Sequence, residues 1–87
     1  MDSMDVNARY EMSPRLVRFE YISNQEQRTA TISGDALEVL AGHVLSKDQC
    51  LSTYAANWAA IHKLAAEKKG APHEVVTLFL RDVETLR

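Results

Sequence analysis

Three histidines (His43, His62 and His73) and one cysteine, Cys50, are the side chains of this 87-residue chain best suited to metal or nucleophile chemistry. Zinc sites are written in short spacings such as Cys-x2-Cys or His-x3-His, and the chain contains neither. The fold itself would have to gather the histidines. Cys50 beside a histidine could form a nucleophile pair. Yet Cys50 falls at the staple position of a helix start, where a buried, inert thiol is expected. His62 borders the apolar face of the same helix and has no second ligand at i±3 or i±4. It reads as a border histidine with one nitrogen hydrogen-bonded. Gly34, Gly42 and Gly70 are isolated helix punctuation and make no phosphate-binding loop. Arg15, Arg18 and Arg28 could line one face of a hairpin as an RNA platform. Glu20 and Glu26 lie near them, so a solvated face carrying ion pairs is the better reading. Tyr54 and Trp58 could floor a ligand pocket, but their spacing puts them on a helix stripe, where aromatics usually serve the core. No catalytic residue, metal ligand or cofactor-binding residue is assigned, and no cofactor is expected.

Composition narrows the class. Hydrophobic content of 46% with 25% charged residues is that of an ordinary globular domain, and the length suits one domain. A formal net charge of −2 argues against a general nucleic-acid or anionic-membrane binder, which needs a basic patch. With a single cysteine no internal disulfide can form, which fits a cytoplasmic location. No apolar run approaches the ~18 residues of a membrane span, and the N-terminus lacks the apolar core of a signal peptide.

The elements that must position these groups centre on one long helix over residues 46–70. Ser46 caps it, Gln49 three positions on completes a capping box, and Leu45 with Cys50 closes a hydrophobic staple. Lys68 and Lys69, then Gly70 and Pro72, mark its end. Leu51, Tyr54, Trp58, Ile61 and Ala65 fall on one stripe and form the expected core face. Ala55, Ala59 and Ala66 flank that stripe with small side chains. They serve helix propensity or the close approach of another helix.

Upstream, residues 1–8 are polar and aperiodic, and a disordered tail is expected there, with one α+β domain over 9–87. Residues 9–12 can add a short extended piece before Ser13-Pro14. Residues 15–22 alternate as a half-buried strand with Val17, Phe19 and Tyr21 on one side. Ser23-Asn24-Gln25-Glu26 turns the chain into residues 27–32, completing a hairpin. Ser33 caps a short helix carrying Leu37, Leu40, Ala41 and Val44, and the chain between Val44 and Ser46 links it to the long one. Residues 74–81 are rich in β-branched and aromatic side chains and read as a last strand, with a final helical turn from Asp82. The expected order is β-β-α-α-β: a small antiparallel sheet of about three strands with two helices on one face.

Such a sheet has only one face to bury. With Val17, Phe19, Tyr21, Val76, Leu78 and Leu80 turned to the helices, Leu16, Ile22, Val75 and Phe79 point outward. A homodimer through that outer face, or through the flank of Ala55 and Ala59, is expected.

Arg9-Tyr10, Val17-Arg18-Phe19, Ile32-Ser33 with Ala36-Leu37, and the run from Tyr54 through Trp58 and Ile61 to Ala65 carry a resemblance. With a closing strand that ends in Leu80-Arg81-Asp82, the chain resembles a small bacterial family, domain of unknown function 1488, over roughly residues 9–84. The hairpin departs from it, having Ser23-Asn24-Gln25-Glu26 where that family would place a glycine. The resemblance implies a small α+β fold and brings no activity, cofactor or catalytic residue. The expected function is a non-enzymatic protein-interaction or regulatory module, homodimeric in a cytoplasmic setting, with an unknown protein partner. The alternative is a small nucleic-acid-binding transcriptional regulator.

Overall fold

Alternating side chains build the sheet first. In the computed structural model, which describes residues 2–68 and 75–84, four strands lie side by side in chain order. They are β1 (Arg9–Met12), β2 (Arg15–Ser23), β3 (Glu26–Ser33) and β4 (Val76–Leu78). The first three are antiparallel neighbours, whereas β4 joins β3 in parallel. The expected class, α+β, holds, but the sheet is mixed and has a fourth strand in β1. Its parallel pair follows from the connection: two helices between β3 and β4 carry the chain back before it re-enters the sheet.

Two expected boundaries shift. Ser23 pairs with Glu26, so the hairpin loop is only Asn24 and Gln25, with φ of 53° and 66°. Positive φ at both positions is the type I′ geometry that matches strand twist. The last strand is also shorter than residues 74–81. Phe79 N–H donates to Asp82 Oδ2 at 2.8 Å, and the chain turns into α3 (Leu80–Val83). Leu80, expected inward, is therefore 41% exposed, and Val83 enters the core in its place.

Both longer helices start where their caps stand. Ser33 Oγ accepts from Ala36 N–H at the head of α1 (Gly34–Ala41), which ends at Gly42 in the left-handed region with φ 82°. The α2 helix (Lys47–Glu67) carries the full capping box. Gln49 N–H donates to Ser46 Oγ, and Ser46 N–H donates to Gln49 Oε1 at 2.9 Å. Leu45 and Cys50 are both buried, as a staple requires. The stop expected at Lys69, Gly70 and Pro72 lies outside the described residues, as do His73, Glu74 and residues 85–87.

One break interrupts the geometry of α2. Asn57 leaves helical geometry (φ −121°, ψ 15°), and its side-chain amide donates to Thr53 O at 2.9 Å. Tyr54, Ile61 and Ala65 are buried as expected, but Leu51 and Trp58 are only half-buried, and His62 goes inside. The core joins Val17, Phe19, Ala30, Ile32 and Leu78 of the sheet to Leu37, Tyr54 and Ile61 of the helices. No described helix is long and apolar enough to cross a membrane.

Candidate functional site

His62 is the only histidine the described core encloses, at 2% exposure. Its ring stacks on Phe19 (centroids 5.0 Å apart, planes within 5°) and meets the edge of Trp58 at 5.3 Å. Both ring nitrogens are engaged. Nδ1 lies 2.9 Å from Asp2 Oδ2, and Nε2 lies 2.6 Å from the Tyr54 hydroxyl. An ionised carboxylate can only accept, so Nδ1 donates to Asp2, while Nε2 and the Tyr54 hydroxyl share the second hydrogen bond. The Tyr54 oxygen in turn accepts from Asp5 N–H at 3.1 Å. These bonds engage every member of a carboxylate–imidazole–phenol chain.

Residues 2–8, expected as a disordered tail, supply half of this network. The reason lies at the sheet edge. β1 pairs with β2 only as far as Arg18, leaving the Glu20 and Ile22 N–H groups beyond it without a strand partner. Asp5 Oδ2 accepts from Glu20 N–H at 2.9 Å, and Asp2 Oδ1 accepts from Ile22 N–H at 3.1 Å. Met4, between these anchors, and Ala8, beyond Asp5, pack on the core. The segment is a strap crossing from the β2 edge to α2. An unmet edge N–H in a sheet must find an acceptor, and two aspartates provide it.

As chemistry, the chain resembles a relay with a phenol at its end. Burial pushes the Tyr54 hydroxyl up to about 12, with the nearby Asp5 and Asp2 charges adding to the effect. That makes a poor nucleophile at neutral pH, and the ring is enclosed at 2% exposure. The arrangement ties residues 2–5 to α2.

A second polar cluster surrounds Arg15. Its guanidinium donates to the Tyr10 hydroxyl (3.2 Å), Glu38 Oε2 (3.1 Å) and Leu45 O (3.0 Å), with Cys50 Sγ at 3.9 Å. Glu38 also accepts from Leu45 N–H at 3.0 Å. That backbone bond first, and Arg15 second, hold the Glu38 carboxyl below the usual carboxylate range. The pair pins the α1–α2 link to the start of β2. Cys50 is buried beneath it.

The expected arginine face does not form. Arg15 shares the inward side of β2 with Val17, and Arg28 sits opposite inward-facing Tyr21, while Arg18 points outward to Glu11 at 2.9 Å. Period-two alternation separates positions 15 and 18. His43 is exposed on the α1–α2 link, with Nδ1 near Val44 O, far along the chain from His62. No group of three metal-ligating side chains is gathered among the described residues.

The expected interface residues are dispersed. Leu16 and Ile22 stand at opposite ends of β2, about 20 Å apart, with outward Arg18 and Glu20 between them. Thr29, Thr31 and Thr77 continue this polar middle across β3 and β4, Thr31 and Thr77 sharing a hydroxyl contact at 3.4 Å. Val75 borders the groove beside Thr29, whereas Phe79 lies at the other end beside Ser33 and Pro14. Ala55 lines a recess with the strap residues Met4 and Val6, and Ala59 is exposed. Sequence reasoning missed Asp2 and Asp5, and it placed Arg15 on a hairpin face rather than in the cluster with Glu38 and Leu45. Met4, apolar within a polar tail, was the one local hint of docking. Compared with protein-family models, curated proteins and solved structures, the chain finds no match.

Proposed function

We propose that this protein is a non-enzymatic protein-interaction or regulatory module that pairs with a second copy of itself. The observation that carries the reading is the exposure of Phe79 (48%) and Leu80 (41%) where the chain leaves β4. Their apolar surface continues to Pro14 on one side and to Val39 and Val44 on the other through two recesses that share Leu80 and Asp35. Adjoining exposed apolar side chains of this kind mark contact surfaces. The groups able to do chemistry support the same reading, since His62, Tyr54 and Arg15 are each consumed by internal bonds. Nucleic-acid binding has less support, because Arg15 and Arg18 are already paired with Glu38 and Glu11.

Phe79 rests beside Lys68, whose ammonium lies 5.0 Å from the ring centroid, and not within the core. Phe79→Glu should therefore leave circular dichroism unchanged while converting a wild-type dimer to a monomer, because a charge left unpaired in a contact is costly. A wild type that sediments as a monomer at high micromolar concentration would exclude the dimer.

A further inference from the structure

The strap sits in a groove that it does not fill. Between it and the ends of β2 and β3 remains a recess of about 230 Å³, lined by Ser3, Met4, Tyr21, Ile22 and Gln27. On its other side, against Leu51, Tyr54 and Ala55, lies one of about 170 Å³. Either would hold several waters or a large apolar side chain. The strap also makes no strand ladder with β2. It is held by carboxylates on two edge N–H groups, by Asp2 on His62 and by its own Asp5 N–H on Tyr54.

From this geometry we infer that the groove between the β2 edge and α2 binds an extended acidic peptide segment of a partner protein, and that residues 2–8 occupy it as an internal stand-in. Each part of the strap specifies a feature of the ligand. Two carboxylates three residues apart meet the donors: His62 Nδ1–H and the Ile22 N–H take the first, and the Glu20 N–H takes the second. A backbone N–H at the second acidic position meets Tyr54. An apolar side chain between them packs where Met4 does. A ligand with a larger apolar residue at the place of Ser3 would also fill the recess that the strap leaves empty. This deepens the interaction-module reading and rests on it, but uses a different surface from Phe79. Loss of dimerisation in Phe79→Glu and loss of peptide binding are separate results.

The test is titration of a peptide with the sequence of residues 2–8 into a chain that begins at residue 9, followed by Trp58 fluorescence. Trp58 touches His62, so filling the groove changes its surroundings. Saturable binding is expected, weakened at least about tenfold when both peptide aspartates are asparagine, since charge-assisted bonds are lost. The full-length chain should not bind at the same concentration. A folded truncated chain that ignores the peptide, or binds both versions equally, overturns the inference. Should the truncated chain not fold, full-length Asp2→Asn/Asp5→Asn serves instead, titrated with the same peptide carrying leucine at the Ser3 position. Binding there supports the site, and its absence overturns it. If the wild type self-associates and the two aspartate substitutions abolish this, the occupant is a second copy's strap, which overturns the assignment to another protein.

Discussion

Tyr54 is where a single residue carries the most structure. Its hydroxyl links His62 to the strap, and burial holds it un-ionised up to about pH 12. An unfolded phenol ionises near 10. The folded value is raised, so the stability it confers is complete below about pH 10 and is lost as pH climbs through about 12. Burial holds the Tyr21 hydroxyl above its ordinary value as well, so tyrosinate absorbance during alkaline titration should show late-ionising phenols, and Tyr54→Phe should reduce that late change without abolishing it. Gln25 is the opposite case, a residue that opposes its own backbone. With φ of 66° in the hairpin loop it holds a conformation that costs a side-chain-bearing residue roughly 1 kcal/mol. Gln25→Gly should raise stability by about 0.5–1 kcal/mol in urea melts. No gain, with the hairpin intact, would mean the loop is not type I′.

At the scale of elements, caps decide where helices begin and edge residues decide where strands end. Ser46 accepts from Gln49 N–H, and its loss leaves a first-turn donor unmet. Ser46→Ala should cost about 0.5–2 kcal/mol, read as a shift in denaturation midpoint with unchanged slope. A change within error would place the start of α2 elsewhere. The β4 strand is too short to hold itself, and Lys68 covers its neighbourhood. The ammonium donates to Thr77 O at 2.9 Å and to Asp82 Oδ2 at 2.7 Å. A lysine on a sheet edge is a common guard against further strand addition.

Across the whole molecule, Glu38 joins parts that the chain order keeps apart: α1, the start of β2 through Arg15, and the α1–α2 link through Leu45. The Leu45 N–H and Arg15 hold its carboxyl lower than in the unfolded chain. The stability it supplies is present above the ordinary carboxylate value and disappears as pH falls through that value to the lowered one. Wild type should thus be more stable than Glu38→Gln at neutral pH, and the difference should shrink in acid. Parallel urea melts at the two pH values test this. An equal difference at both would show that the ion pair contributes nothing beyond shape.

Local rules were legible because their partners lie within a few residues. Ser33 and Ser46 meet N–H groups three positions on, and the alternation of Val17, Phe19 and Tyr21 needs only the pleat of one strand. Those features announced both helix starts, the hairpin and an inward sheet face. What tertiary structure alone decided involves distant partners or competition at a strand end. Asp2 meets His62 across 60 residues, because a strand that ends early leaves N–H groups that something must satisfy. His62, at the border of the apolar stripe, goes fully inside because Asp2 and Tyr54 engage both its ring nitrogens there. The parallel direction of β4 came from the path of two helices, and the exposure of Leu80 from Asp82 capturing the Phe79 N–H. In these cases the partners lie far apart in the chain or compete at a strand end, and the geometry of the assembled sheet and helices chose among them.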